Sequence, residues 1–338
     1  MGPCAPTDII QPKRGKRMRL SRLTAFLLTV PLLAGCASLP AGYASSAPAP
    51  AAAQPPVAPA PTPAPAPAPT PTPTPTTAPI TDQSLQNLKA QLEAYLADQQ
   101  GTYGVYVIDI ASGKGVGVNS DMAFPAASTF KLPMAMYVLD QAETGHLSLD
   151  DQITYTAEAD YEDGTGVLQD SIQEGEGVPI RRLIELAITE SDNIATNMIL
   201  RRIGRDNVFA FMTKLGGKVT TYADTAGTTP RDMANYMRLA RTNKVVTDPT
   251  LRKFLLDLLS HTAFTDRAAA GVPDGVKVAH KIGTLPGVIN DVALVYAPKR
   301  TFVVAAFSID VDDAVAPDVI AAVTRQVYDV ERSLAAAQ

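Results

Sequence analysis

The sequence has no tryptophan, only two cysteines and only three histidines in 338 residues. The cysteines are Cys4 and Cys36, so no disulfide and no thiol chemistry falls beyond residue 36. The histidines, His146, His261 and His280, are scattered and lack cysteine partners, which leaves no zinc-type ligand set. No metal and no other cofactor is expected. Long hydrophobic runs are absent too: the apolar stretch Leu23–Leu33 is too short to span a bilayer as a helix. Residues 1–80 hold six of the 29 Lys/Arg and one of the 34 Asp/Glu, leaving 23 basic and 33 acidic side chains, a net charge of −10, beyond them. With no basic patch in that part, nucleic acid is excluded as a partner.

What is present divides the chain into three. Residues 1–36 combine a basic start, the apolar run and Leu33-Ala34-Gly35-Cys36. That is the pattern of an export signal, and its last four residues resemble a bacterial lipobox, which makes Cys36 the expected lipidation site. Residues 37–80 are dominated by Ala, Pro and Thr and cannot bury a core. As an extended polyproline tether of roughly 3.1 Å per residue it would reach on the order of 120 Å. Residues 81–338 are long enough to fold on core burial alone. The expected protein is exported and lipid-anchored to a bacterial membrane, facing the periplasm or cell wall, and acts as a monomer.

Within 81–338, Leu85, Leu88, Leu92, Tyr95 and Leu96 mark one face of a helix over 84–99. A hairpin is expected over 104–118, turning at Ala111-Ser112-Gly113. A helix should start at Ser128, and the chain to about 260 reads as helical with breaks. Strands are expected at 276–283, 289–297 and 301–309, then a last helix with Val319, Val323, Val327 and Val330 on one side. The fold class is therefore α+β. Both ends of the segment build an antiparallel sheet with terminal helices packed on it, the middle forms an all-helical lobe, and the active site lies in the cleft between.

Three short strings carry chemistry: Ser128-Thr129-Phe130-Lys131, Ser191-Asp192-Asn193 and Lys281-Ile282-Gly283-Thr284. Ser128 and Lys131, three apart, share one face of a helix. A serine hydroxyl needs an adjacent base to attack at neutral pH, and a buried lysine with a lowered pKa can be that base. Ser191 suits a proton relay, Asn193 a substrate contact and Asp192 a local acceptor that holds the turn. Strand alternation puts Lys281 and Gly283 on one face and Ile282 on the other. Lys281 supplies positive charge beside Ser191, Gly283 permits close approach to the backbone, and the Thr284 N–H pairs with that of Ser128 as an oxyanion site. Singly, the first two strings also read as helix N-caps, and the third as an edge strand guarded by a lysine.

Together, in this order and spacing, the strings resemble those of the class A β-lactamase and penicillin-binding protein superfamily. The resemblance covers roughly 84–336, including Pro125-Ala126-Ala127, Asn197, Leu200 and Asn290-Asp291. It implies a serine acyl-enzyme hydrolase acting on a β-lactam or a D-Ala-D-Ala peptide. It further implies a cleft-rim loop at Tyr161 and Glu162, with Tyr161 contacting substrate, and a carboxylate-binding role for Arg267.

One departure matters. Lactamases of the family carry a loop whose Glu, followed four residues later by Asn, positions the deacylating water. Here only 221–227 lie between the flanking segments, with no Glu, and Asp224 is the sole acid. Acylation therefore has its parts, whereas deacylation is expected to be slow unless Asp224 serves. The short loop resembles that of small penicillin-binding proteins, so a D,D-peptidase acting on peptidoglycan stem peptides is the first alternative. A non-catalytic wall-binding or sensor lipoprotein is the second. Ile282 in place of the family threonine points away from the reacting face.

Overall fold

The computed structural model describes residues 80–223 and 225–336. The expected signal segment, the tether up to residue 79, Cys36 and Asp224 lie outside these residues, whereas Ile80, read as the last tether residue, is buried in the core.

Helix α1 (Asp82–Ala97) begins at Thr81, whose hydroxyl accepts the Ser84 N–H, and buries Leu85, Leu88, Leu92 and Leu96. The hairpin β1 (Thr102–Asp109) and β2 (Gly115–Val118) follows as expected. A short strand β3 (Phe124–Pro125) leads into a 3₁₀ turn, Ala127–Phe130, and then helix α2 (Lys131–Glu143). This corrects one expectation: the α-helix starts at Lys131, and Ser128 lies in the 3₁₀ turn before it. In such a turn residues i and i+3 eclipse, so Ser128 and Lys131 keep the common face that the spacing implied.

The lobe expected to be all-helical also holds a pair of short strands: it comprises β4 (Gln152–Thr154), the single turn α3 (Ala157–Asp160), β5 (Gly177–Pro179), which pairs with β4, α4 (Ile180–Thr189), α5 (Asn193–Ile203) and α6 (Arg205–Lys214). Next come a hairpin, β6 (Thr221–Tyr222) and β7 (Thr225–Thr228), then α7 (Pro230–Arg241) and α8 (Pro249–Leu259). The chain closes with β8 (Lys277–Leu285), β9 (Val288–Ala297), β10 (Arg300–Ile309) and α9 (Ala316–Ala336).

The main sheet is antiparallel with strand order β2-β1-β10-β9-β8. One apolar cluster joins Leu88 and Leu92 of α1, Val323 and Val327 of α9 and the inward side chains Val105, Phe302 and Val304. A larger one fills the helical lobe and the other sheet face, with Leu132, Met136, Leu183, Ile199, Met237 and Phe307. The α+β sandwich is thus as expected, and β8, an edge strand, runs beside the lobe.

A charged group lies inside this frame. The Arg300 guanidinium donates to Asp109 Oδ1 at 2.8 Å and to Glu331 Oε2, and all three side chains are buried. It ties the sheet to α9.

Candidate active site

Three segments converge on one cleft because each is pinned by named contacts. Ahead of Ser128, the Asn290 side chain donates to the Pro125 carbonyl at 2.9 Å, while its own carbonyl accepts the Ser308 N–H at 3.0 Å. The Ala126 N–H donates to the Ala226 carbonyl at 2.9 Å. Between these anchors Ala127 takes φ of +46°, in the left-handed region. That conformation costs a non-glycine residue on the order of 1 kcal/mol, and here it immediately precedes the candidate nucleophile.

Gly283 sets the distance between β8 and this turn. A Cβ there would lie 2.8 Å from the Ala126 carbonyl oxygen and 3.1 Å from both the Ala127 Cβ and the Thr129 nitrogen. The absence of a side chain therefore admits the nucleophile's own turn, where the sequence reading had substrate approaching.

Ser191-Asp192-Asn193 is held by its middle residue. Asp192 caps α5 by accepting the Ala195 N–H at 2.8 Å. Its other oxygen accepts the N–H groups of Val167 and Leu168 at 2.8 and 2.9 Å. Asp192 thus fastens the rim loop 160–170 to the site, the local acceptor role read from the sequence. Gly166 (φ +123°) passes so close that a Cβ would meet Asp192 Oδ2 at 2.3 Å.

The three strings meet in a buried polar chain. Lys131 Nζ donates to the Ser191 carbonyl, to Asn193 Oδ1 at 2.9 Å and toward Ser191 Oγ at 3.3 Å. Lys281 Nζ reaches the same Ser191 Oγ at 3.0 Å. Burial is the main reason the Lys131 pKa falls from 10.5 to about 8, opposed by the charges of Asp192 and Glu162. Lys281 is fully buried, and that burial, helped by repulsion from Lys131, holds its pKa well below the ordinary lysine value, against the pull of Asp291. The carboxylate of Asp291 is itself engaged by His280 Nδ1 at 3.0 Å and the Ala268 N–H at 3.1 Å.

Arg267 is buried beneath Thr284. It donates to the carbonyls of Gly283 and Asn290 at 2.9 and 2.8 Å and to Thr284 Oγ1 at 2.7 Å, while its Nε has no hydrogen-bond partner. The guanidinium braces the β8 edge from behind. Its charge acts on the buried Lys281.

The open cavity is lined by Ser128, Lys131, Asn193 and Thr284, with Glu162, Asn197, Arg205, Thr225 and Ala226 among its other walls. Tyr161 is 56% exposed on the outer rim and does not line it; its neighbour Glu162 does. Ser191 and Lys281 lie just under the wall. Sequence reasoning did not anticipate the linings from Arg205 and from Thr225-Ala226. For the latter, the brevity of 221–227 was the available signal, because a hairpin that short must stay beside β3, where β7 pairs Pro125 with Gly227.

Residues 87–330 match the family described as "Beta-lactamase enzyme family". A β-lactamase of Bacillus subtilis is 31% identical over 67% of this chain and 75% of its own length. The β-lactamase AST-1 of Nocardia asteroides is 29% identical over 75% and 87%. Among solved structures, PBP-A superposes with a TM-score of 0.70 at 28% identity, covering 74% of this chain and 97% of that one. An ancestral class A β-lactamase does so with 0.67 at 32%, covering 72% and 99%. With the family match spanning well over half its length, and with this fold, the chain belongs to the beta-lactamase enzyme family as a class A-like serine hydrolase.

Proposed function

We propose that the protein opens β-lactam amides through an acyl-enzyme on Ser128 and releases the acyl group slowly. The observation that carries this is the buried chain Lys131–Ser191–Lys281, in which one hydroxyl sits within reach of two lysine amines. Ser128 Oγ attacks the ring carbonyl and its proton passes to Lys131 Nζ. The N–H groups of Ser128 and Thr284 receive the developing oxyanion, because β8 is an edge strand whose outer backbone groups the sheet does not use. As the carbon–nitrogen bond breaks, Ser191 Oγ gives its proton to the leaving nitrogen and takes one from Lys131. Lys281 holds that hydroxyl in place, and with Arg267 behind the strand it makes this end of the cleft attractive to a substrate carboxylate. Asn193 faces the acyl side.

No glutamate occurs in residues 215–232, so the base that frees the acyl group in lactamases has no counterpart there. General-base assistance is worth about 10²–10⁴-fold, and its weakening lengthens the life of the adduct. A second reading, a D,D-peptidase acting on peptidoglycan stem peptides, draws support from PBP-A, a leucine-to-glutamate variant of which was solved as an acyl-enzyme complex with penicillin G. In either reading Cys36 anchors the enzyme to a bacterial membrane and residues 37–80 let it reach the wall.

Nitrocefin turnover and intact mass after penicillin, with Ser128→Ala as control, test the proposal. A stoichiometric adduct that forms fast and decays slowly is expected, and it should be absent from the control. No adduct and no hydrolysis by the unmodified chain would sink it. Release of D-Ala from a wall peptide would select the second reading. Gly283→Ala is expected to slow acylation by roughly ten- to a hundredfold, since displacing a reacting group by about 1 Å costs on the order of 10² in rate. Stopped-flow acylation rates measure this, and a rate within twofold of the unmodified chain would refute the packing role.

A further inference from the structure

The cavity beside Ser128 holds an acid that the expected chemistry leaves without a task. Among the described residues, Glu162 is the sole carboxylate that lines it. It stands on the rim loop that Asp192 fastens to the site, and its Oε2 accepts the Asn197 Nδ2–H at 2.8 Å. Asn197 also donates to the Asp160 carbonyl at 3.3 Å, so its amide is oriented from two sides. The root of the loop is firm: Asp160 is buried and is gripped by Arg201 through Nε and Nη2, both at 2.8 Å. Glu162 is near enough for its charge to act on Lys131, and its side chain is exposed to solvent. The described part of the wall at Thr225 and Ala226 offers no ionisable side chain. Thus the carboxylate, the candidate nucleophile and the base share one water-accessible space, with no other acid lining it among the described residues.

We propose that Glu162 is the general base of acyl-enzyme hydrolysis in this protein, a role that rests on the acyl-enzyme reading above. A water in the cavity bonds through its oxygen to the acyl carbon while one of its protons goes to the Glu162 carboxylate. The tetrahedral species then collapses. The carbon–Oγ bond breaks, Ser128 Oγ receives through Lys131 the proton that Glu162 took from the water, and the product leaves as a carboxylic acid. Glu162 is then again a carboxylate and Lys131 again a neutral amine, so one ester and one water give one acid and one serine. Because the carboxylate rests on one hydrogen bond from an exposed loop, it works with less pre-organisation than a base fixed on both sides. Release that is slow without being absent follows.

The test uses the full chain and its Glu162→Gln and Glu162→Asp variants, with adduct formation and decay followed by intact mass after a penicillin pulse. Glu162→Gln keeps an oxygen for Asn197 and removes only the basicity. It is expected to lengthen the adduct half-life about a hundredfold, the lower range for a lost general base, while slowing acylation far less. Glu162→Asp should recover part of the decay. Equal adduct lifetimes in Glu162→Gln and the unmodified chain would overturn the assignment. Failure of the unmodified chain to form any adduct would instead remove the acyl-enzyme reading, so the two failures are told apart in one experiment.

Discussion

Lys131→Met is expected to lower the rate of Ser128 acylation by about 10²–10⁴-fold, the worth of a positioned base, and at the same time to make the fold more stable. Both effects have one cause. Lys131 is an almost wholly buried amine whose partners are a carbonyl, an amide oxygen and a hydroxyl, none of them a carboxylate. Burial lowers its pKa from 10.5 to about 8. For catalysis that is useful, because about a tenth of the amine is neutral at pH 7 and can take the serine proton. Acylation should therefore rise roughly tenfold per pH unit up to about pH 8 and level off above it. For folding the sign is opposite. A lysine with a depressed folded pKa contributes its stability above the unfolded value and loses it as pH falls toward 8. At neutral pH the charged amine therefore costs about 3 kcal/mol, at 1.36 kcal/mol per pH unit. Methionine removes that cost but forfeits three hydrogen bonds, each worth about 1 kcal/mol, so a small net gain, below about 1 kcal/mol, is expected. Urea melts at pH 7 and pH 10 check it: the advantage of the variant should shrink at the higher pH. Equal stability at both would refute the buried-amine account.

Arg300→Met is expected to do the reverse, destabilising the fold by about 3–5 kcal/mol, as when one partner of a buried ion pair is removed. Here the cation is matched by Asp109 and Glu331, both buried with it. Burial raises the Glu331 pKa from 4.5 to about 6 even with Arg300 beside it. A raised carboxyl pKa gives its full stability below the unfolded value and loses it as pH rises through about 6. Without the guanidinium that trend must steepen. The variant should thus be harmed more at pH 7.5 than at pH 5, as read by thermal melts at the two values. A loss below 1 kcal/mol at pH 7.5 would show that the cluster carries little of the fold. Ser128 lies in another part of the fold, so acylation of the folded fraction should persist.

These two cations illustrate what could be read without a structure. Ser128, Lys131, Ser191, Asn193 and Lys281 were recognisable because the chemistry demands those side chains at fixed spacing. The terminal helices and β8–β10 were recognisable because their apolar periods are long and regular. The start of α2 was not, since a spacing of three fits a 3₁₀ turn and an α-helix alike. Nor was the division of labour between Tyr161 and Glu162: on a loop without a period, nothing in the sequence says which of two neighbours turns inward. Arg267 and Gly283 were singled out for substrate, yet their nearest contacts are with β8, β9 and the nucleophile turn. Such assignments depend on distances between strands and turns that are far apart in the chain.

The hairpin β6–β7 also bears on what the scaffold can become. Among the described residues it is attached through the pairing of β7 with β3, the bond from Ala126 to Ala226, and the Lys218 and Val219 N–H groups that donate to Asp232 just before β6. Lengthening its tip costs only the slow growth of loop-closure entropy, about 0.6 kcal/mol for each doubling. Added residues would hang over the cavity wall formed by Thr225 and Ala226 without disturbing Ser128. The tip is therefore a grafting point, at which an inserted acid-bearing segment can be selected for faster turnover while the acylating machinery is left as it stands.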